Sequence, residues 1–286
     1  HPTRHARSRP DPTRPHRRGP PRPAPPTATA FFLADRLGKP LLVEGPAGVG
    51  KTELARAVAQ ATGSGLVRLQ CYEGVDEARA LYEWNHAKQI LRIQAGSGDW
   101  EATKTDVFSE EFLLQRPLLT AIRRTEPTVL LIDETDKADI EIEGLLLEVL
   151  SDFAVTVPEL GTLTATRAPF VLLTSNATRE LSEALKRRCL YLHIDFPTPE
   201  LERRILLSRV PELPEHFAEE LVRIIGVLRG MQLKKVPSIA ETIDWGRTVL
   251  ALGLDTIDDA VVAATLGVVL KHQSDQQRAT GELRLN

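Results

Sequence analysis

Eight consecutive residues carry the types and the spacing that bind phosphate, and they fit the pattern G-x-x-x-x-G-K-[ST]. In such a loop, glycine N–H groups approach phosphate oxygens closely, and the following helix adds the positive end of its dipole. We expect the Lys51 ammonium on the β- and γ-phosphates and the Thr52 hydroxyl on Mg²⁺. The alternative is an ordinary Gly-rich turn, which the apolar run before the loop and the helical pattern after it disfavour. The candidate nucleoside triphosphate-binding residues are Gly45, Pro46, Ala47, Gly48, Val49, Gly50, Lys51 and Thr52.

Two carboxylates follow a second apolar run, Val129–Ile132, which is typical of a buried parallel strand. Ligands of open α/β sheets bind just beyond the carboxyl ends of the strands. We therefore expect Asp133 to face the Mg²⁺ that Thr52 holds. Glu134 is placed to polarise the attacking water as a general base. An Asp-Glu pair at a strand end can also be a plain solvated turn, but its combination with the phosphate loop predicts a hydrolysis site.

Hydrophobic periodicity indicates the elements that position these residues. Helical stretches, including residues 29–37 and 138–150, alternate with strands, which predicts a mainly parallel α/β sheet. Residues 153–168 predict a β-hairpin inserted after the second of these helices. Residues 71–110 are polar and mixed, and a segment of this length between strands is usually functional or disordered. The predicted strands are 40–44, 66–70, 128–133, 169–175 and 190–195.

The chain divides by composition into three parts. Residues 1–28 form an arm rich in Arg and Pro that we expect to be disordered. Residues 29–197 are predicted to form the nucleotide-binding domain, and residues 198–286 a helical domain without strands. Residues 1–26 hold seven Arg and one Asp, which leaves −9 for the remaining 260 residues of a chain with net charge −3. Such an acidic body disfavours a general nucleic-acid binder.

The cysteine count and the lengths of the apolar runs indicate in which cellular compartment the protein is located. Cys71 and Cys189 are the two cysteines, and they lack metal-type spacing. A disulfide framework is therefore excluded, and free thiols suit a reducing cytosol. No apolar run reaches the roughly 18–20 residues that a bilayer span needs, and the first residues lack the pattern of a signal peptide. A cytoplasmic location without a membrane span is predicted.

These features together resemble an AAA+ ATPase, over residues 29–272. The resemblance rests on the phosphate loop, the Asp-Glu strand end, a polar strand end at 174–176, the paired Arg187 and Arg188, and the helical second domain. It implies a P-loop NTPase core with a parallel five-stranded sheet, an inserted β-hairpin and an all-helical lid domain. The hairpin and the sequence at 131–138 are similar to the MoxR branch. Three further stretches are similar to its CoxD-like subgroup, which is associated with carbon monoxide dehydrogenase and related molybdenum enzymes: 71–74, 81–84 and 237–242.

The resemblance implies roles for further residues. Asn176 matches sensor 1, which orients the lytic water or contacts the γ-phosphate. Arg188, with Arg187 as the adjacent alternative, matches the arginine finger, which a neighbouring subunit supplies and which is worth about 10³–10⁵ in rate. Such a finger implies a self-assembled ring, for which a hexamer is the expected size. Ile239 stands where a sensor 2 arginine is expected; either Arg247 substitutes for it or sensing from the lid is weakened.

The leading interpretation is an ATP-hydrolysing, chaperone-like remodeller of a protein client. The CoxD-like resemblance implies a molybdenum hydroxylase as the client and a von Willebrand A-domain protein as a partner. ATP rather than GTP is implied by the resemblance, since the N-K-x-D-like residues 136–139 directly follow the Asp-Glu strand and are discounted. The alternatives are a nucleic-acid-remodelling AAA+ motor and a nucleotide-gated scaffold without turnover. The acidic body disfavours the motor, and the intact Glu134 disfavours the scaffold.

Overall fold

A computed structural model describes residues 26–95 and 100–284. Most of the predicted Arg/Pro-rich arm, residues 1–25, lies outside the described residues. The strands are β1 (Leu41–Glu44), β2 (Gly65–Gln70), β3 (Tyr82–Trp84), β4 (Leu113–Gln115), β5 (Thr128–Asp133), β6 (Ala154–Val157), β7 (Gly161–Thr164), β8 (Phe170–Ser175) and β9 (Leu190–His193). The helices are α1 (Pro26–Leu37), α2 (Lys51–Thr62), α3 (Glu77–Ala80), α4 (His86–Ala95), α5 (Trp100–Val107), α6 (Pro117–Arg123), α7 (Ile140–Asp152), α8 (Glu183–Arg188), α9 (Pro199–Arg209), α10 (Glu215–Gly230), α11 (Ile239–Leu252), α12 (Asp259–Val269) and α13 (Gln273–Glu282).

The main sheet has five parallel strands in the order β2-β5-β8-β1-β9, which confirms the predicted α/β fold. Its central strands β1, β5 and β8 are largely apolar on both faces because helices cover both sides. In β5, Val129 and Leu131 pack into one hydrophobic cluster, while Leu130 and Ile132 pack into another on the opposite face. This alternation follows from the two-residue period of a strand. The carboxyl ends of β1, β5 and β8 consequently meet at one edge of the sheet.

The predicted hairpin is present as the antiparallel pair β6 and β7, directly after α7. Val155 and Val157 are buried against the cluster that contains Leu146 and Leu150 of α7. The intervening side chain of Thr156 is exposed and lies opposite Thr162, with the two hydroxyls 3.0 Å apart. One face of the hairpin is therefore anchored in the core, and the other is presented to solvent.

Residues 71–110 contain more structure than their composition indicates. Where described, this segment forms α3, α4, α5 and β3, and β3 pairs with β4 as a small antiparallel sheet. Gln89 of α4 is buried and donates from Nε2 to the Val107 carbonyl oxygen at 2.7 Å. Of the two alternatives, functional or disordered, disorder does not hold for the described part of this segment, where buried hydrogen bonds of this kind satisfy polar groups.

Helices α9 to α13 enclose their own hydrophobic cluster, which includes Leu221, Trp245 and Leu266. The Trp245 indole N–H donates to Thr265 Oγ1 at 2.8 Å, so this buried aromatic residue also has its polar atom satisfied. From β9 to residue 284 the structure contains helices and no strands, while the division at residue 198 stays a prediction. Within residues 26–95 and 100–284, none of the helices combines the length and apolarity that a bilayer crossing requires.

Candidate nucleotide-binding site

Residues 45–50 form a loop between β1 and α2, at the carboxyl edge of the sheet. The loop ends at Gly50, the residue that precedes the first turn of α2. Among the described residues, none accepts a hydrogen bond from the backbone N–H groups of residues 47–53. Free N–H groups and the positive end of the α2 dipole therefore point together toward one space, the arrangement that binds anions.

Two glycines of the loop are required by close contacts. A Cβ atom on Gly45 would lie 1.9 Å from the carbonyl oxygen of Ile194. Gly48 has φ +76°, and a Cβ atom there would lie 2.2 Å from the Cβ of Ser238. A residue larger than glycine does not fit at either position. At Gly48 the positive φ would also strain the backbone of any L-residue. The loop is thus packed against β9 on one side and against the start of α11 on the other.

The Lys51 side chain lies within the loop that precedes it. Its Nζ donates to the carbonyl oxygens of Gly45 and Pro46, both at 2.7 Å. Burial lowers the pKa of this ammonium, while the nearby carboxylates of Asp136 and Asp133 oppose that shift. A buried ammonium held by two carbonyl oxygens can instead donate to an anion that enters the loop and form an ion pair with it.

Thr52 and Asp133 lie side by side, as their predicted joint role as metal ligands requires. The Thr52 hydroxyl is 3.2 and 3.1 Å from the two carboxylate oxygens of Asp133. Asp133 is 2 % exposed and also accepts from the Thr174 hydroxyl at 2.5 Å. Carboxylate and hydroxyl oxygens are hard donors that suit Mg²⁺, so the residues present fit this ion.

Glu134, the predicted general base, has an unusual backbone and two partners. Its φ of 54° and ψ of 48° are left-handed, and its N–H donates to Thr174 Oγ1 at 2.9 Å. Its Oε2 accepts from Gln70 Nε2 at 2.9 Å and from Lys137 Nζ at 2.5 Å. The hydrogen bond to Glu134 raises the pKa of Lys137. A left-handed glutamate at a strand end is the kind of local strain that concentrates at functional sites.

Asn176 follows β8 and lines the same cavity as Thr52, Asp133 and Glu134. Its backbone N–H donates to Asp136 Oδ1 at 3.1 Å, and the Thr178 N–H donates to Oδ2 of that residue at 3.1 Å. Burial by itself would raise the pKa of Asp136, but these bonds and one from the Thr178 hydroxyl outweigh it and lower the pKa. An ionised, buried Asp136 therefore fixes the loop that carries Asn176.

The remaining wall of the cavity comes from α9 and α11. The cavity has a volume of about 1030 Å³ and extends from the phosphate loop to these two helices. Ile239 faces it, and so does Arg247, the residue that the sequence left open as a substitute cation. Arg204 and Arg209 of α9 also line it and were missed by the sequence analysis. A long side chain on a helix surface has no local signal that distinguishes it from any solvated arginine.

Arg187 and Arg188 are not part of this cavity. Both are exposed on α8, and Arg188 Nη1 donates to the carbonyl oxygen of Leu147 at 2.9 Å. The structure therefore brings residues 47–52 and Asp133 together with Glu134 and Asn176 around one cavity, and it leaves the two candidate finger arginines on the surface. Gly45 and Pro46 do not line the cavity, and their carbonyl oxygens accept from Lys51.

Comparison with known proteins gives the family. Residues 40–189, which run from β1 to the end of α8, match the model of the AAA domain (dynein-related subfamily). The chain belongs to this AAA domain family. AAA domains are ATPase modules, and the loop at residues 45–52, Asp133, Glu134 and Asn176 all lie within the matched region.

Chaperones are among the proteins to which the chain is similar. Chaperone protein ClpB 1 of Synechocystis is 27 % identical over 236 residues, which are 78 % of this chain and 23 % of that protein. Chaperone protein ClpB 2 of Thermosynechococcus vestitus is 33 % identical over 143 residues, which are 49 % of this chain and 14 % of that protein. The matched region thus spans less than a quarter of the length of these relatives. A solved structure of RuvB from Thermotoga maritima is 18 % identical, with a TM-score of 0.49, and the match covers 91 % of this chain and 68 % of that one.

Proposed function

We propose that this protein hydrolyses ATP with Mg²⁺ in a self-assembled ring and uses the energy to remodel a protein client. The observation that carries the proposal is the convergence of Lys51, Thr52, Asp133, Glu134 and Asn176 on one cavity. They come from three different strand ends, and the helical domain closes the cavity on its far side. Binding energy in such a cavity can move the two parts of the chain relative to each other.

Phosphate binding is assigned to the loop and to Lys51. The free N–H groups of residues 47–53 donate hydrogen bonds to phosphate oxygens, and the Lys51 ammonium leaves its two carbonyl partners for the β- and γ-phosphates. Thr52 and Asp133 would hold Mg²⁺ through a hydroxyl and a carboxylate oxygen. When bound, Mg²⁺ supplies charge neutralisation to the phosphates.

Hydrolysis is assigned to Glu134, which accepts a proton from the attacking water. Its Oε2 is shared between Gln70 and Lys137, so one carboxylate oxygen remains without a partner among the described residues. Asn176, whose side-chain amide makes no hydrogen bond in the described part of the chain, is free to orient that water. Asp136 keeps this amide in position by binding the backbone on either side of it.

Arg188, or its neighbour Arg187, is proposed to act on the nucleotide of an adjacent subunit. Both side chains are exposed and lie away from the chain's own cavity, as a residue that acts between subunits must. A guanidinium supplied in this way stabilises the charge of the transferred phosphoryl group. This assignment makes a ring, with a hexamer as the expected size, a condition for full activity.

The finer proposal is a MoxR-like ATPase of the CoxD-like subgroup, acting in the cytoplasm on a molybdenum hydroxylase together with a von Willebrand A-domain partner. Two observations support a protein client. The ClpB relatives carry the name chaperone, and the hairpin of β6 and β7 presents one polar, exposed face from a buried anchor. The motifs at 71–74, 81–84 and 237–242 support the subgroup.

Phosphate release by wild type and by Glu134→Gln tests hydrolysis. We expect a loss of about 10²–10⁴-fold, the usual contribution of a general base, with nucleotide still bound. Glu148→Gln makes the same change at an exposed carboxylate of α7 and should leave the rate unchanged. Equal rates for wild type and Glu134→Gln would end the claim of catalysis.

Two further experiments test the ring and the client. Arg188→Ala subunits mixed with Glu134→Gln subunits should recover activity at the interfaces where both functional groups meet, and no recovery in any mixture would remove the role between subunits.

Glu134→Gln held with ATP should retain its client, which mass spectrometry then identifies. Recovery of nucleic acid instead of a molybdenum hydroxylase would overturn the client assignment.

A further inference from the structure

Arg68 lies beside the carboxylate that is assigned to the metal ion. It belongs to β2, the edge strand next to β5, and Gln70 of β2 is in register with Asp133. Side chains two residues apart on a strand share a face, so Arg68 and Gln70 both lie on the side of the sheet that Asp133 occupies. Arg68 Nη2 donates to Asp133 Oδ2 at 2.5 Å and also contacts Gln70 Oε1.

Asp133 therefore already has a cation of the chain itself as a partner. Its Oδ2 is shared by Arg68 and Thr52, and its Oδ1 by Thr52 and Thr174. The Asp133 side chain is 3 % exposed, whereas the Arg68 side chain is 44 % exposed. The carboxylate is fixed, and the guanidinium is the member of the pair that can move.

Arg68 is attached at one end only. In the described part of the chain, the partners of its guanidinium are Asp133 and Gln70, both reached through Nη2. None of the described residues accepts a hydrogen bond from its other N–H groups. The Arg68 side chain, about half of whose surface is in water, can leave this position by giving up its contacts with Asp133 and Gln70 alone.

We propose that Arg68 is an internal counter-ion that competes with Mg²⁺ for Asp133, so that metal–nucleotide binding displaces the guanidinium from this carboxylate. The inference rests on the proposed function, because that function places Mg²⁺ between Thr52 and Asp133. A guanidinium within hydrogen-bond distance of a carboxylate repels a divalent ion on the same carboxylate. Arg68 is thus a positioning residue: it neutralises a buried acidic group until the metal arrives, and it sets the Mg²⁺ concentration at which the site fills.

The test is the Mg²⁺ dependence of binding of a fluorescent ATP analogue by the full chain. Arg68→Met removes the charge and keeps most of the length, and we expect the half-saturating Mg²⁺ concentration to fall by about fivefold, as suits a partly exposed pair. Arg68→Lys retains the charge and should stay near wild type. Arg223→Met removes an arginine that pairs with Glu220 on the surface of α10, so it controls for net charge.

The outcomes separate this inference from the proposed function. A half-saturating Mg²⁺ concentration in Arg68→Met that is unchanged, or higher, overturns the competition while leaving the proposed function intact. A wild type whose nucleotide binding does not depend on Mg²⁺ overturns both. Should Arg68→Met unfold at assay temperature, Arg68→Gln gives the same uncharged comparison, and the binding of Mn²⁺ measured by electron paramagnetic resonance gives a second readout that does not depend on catalysis.

Discussion

The two walls of the nucleotide cavity are held in different ways. On the sheet side, Lys51, Thr52 and Asp133 all have hydrogen-bond partners, so their positions are fixed before any ligand binds. On the helical side, Arg204 and Arg209 have no partner among the described residues. Preorganised groups lose little freedom on binding, whereas free side chains must be ordered by the ligand. The sheet side therefore carries the preorganised groups of the cavity, and the helical side carries the free ones.

The helical side is nevertheless attached to the phosphate loop through one fixed segment. Glu202 of α9 forms a two-fold ion pair with Arg229 of α10 and accepts from Thr242 at 2.7 Å. Arg229 Nε also donates to the carbonyl oxygen of Pro237 at 2.9 Å, and the next residue, Ser238, packs on Gly48. A buried ion pair thus connects α9, α10 and α11 to the loop at residues 45–50.

The largest expected effect comes from breaking that ion pair. Glu202 is 2 % exposed and Arg229 12 %, so Arg229→Met leaves a buried carboxylate without its cation and should lower the free energy of unfolding by about 3–5 kcal/mol. Hydrogen exchange should show the loss in α9 to α11 and not in β1, β5 and β8. Arg223→Met breaks an exposed pair on the same helix and should change stability by less than about 0.5 kcal/mol. Equal loss of protection in the sheet would contradict the separation of the two walls.

Removal of the ammonium on the sheet side comes next. Lys51→Ala should weaken nucleotide binding by about 2–5 kcal/mol, because the phosphates lose their buried cation. The free energy of unfolding should change far less, since the partners of the lysine within the described residues are carbonyl oxygens of its own loop. Titration of a fluorescent nucleotide measures this. An unchanged affinity would show that the loop does not bind phosphate.

The difference between the walls also explains what the sequence could predict. The loop at 45–52 and the Asp-Glu strand end are contiguous, so local spacing alone indicates their geometry. Arg68 and Gln70 reach the site only because β2 lies beside β5, and this neighbourhood is a long-range property of strand order. Residues 136–139 were discounted as a base-reading motif because they directly follow the Asp-Glu strand, and no other role was predicted for Asp136, which fixes the Asn176 loop.

The fold shows the same division. The five strands of the main sheet were predicted to within two residues at each end, because buried parallel strands are short, continuous apolar runs. The pairing of β3 with β4 was not predicted, since about thirty residues of polar sequence separate two strands of three residues. This part of the fold depends on tertiary contacts: the buried Gln89 bonds to Val107, which lies 18 residues further along the chain.

The contact between the walls gives a smaller, sharper test. Gly48→Ala adds a Cβ that meets Ser238 and forces alanine to φ +76°, which costs about 1–2 kcal/mol for the left-handed backbone alone. Ser238→Gly in the same chain should relieve the contact and not the backbone strain, so it should restore part of the nucleotide affinity. Gly226→Ala in α10, where nothing lies within 4 Å, should instead stabilise the protein by about 1 kcal/mol. If the double variant recovers no nucleotide affinity, the contact between Ser238 and residue 48 does not affect nucleotide binding.

The smallest expected effect is on the free arginines of the lid wall. Arg204→Ala should weaken ATP binding by about 0.3–1 kcal/mol, the range for an exposed charge, and the loss should shrink as salt is added. Arg223→Ala removes an equivalent charge away from the cavity and should have no effect. Comparison of ATP with ADP locates the contact: a cation that reaches the γ-phosphate affects ATP alone, whereas one near the α- or β-phosphate affects both nucleotides equally. Because Ile239 carries no charge, a loss confined to ATP would identify α9, rather than the start of α11, as the part of the lid that detects the terminal phosphate.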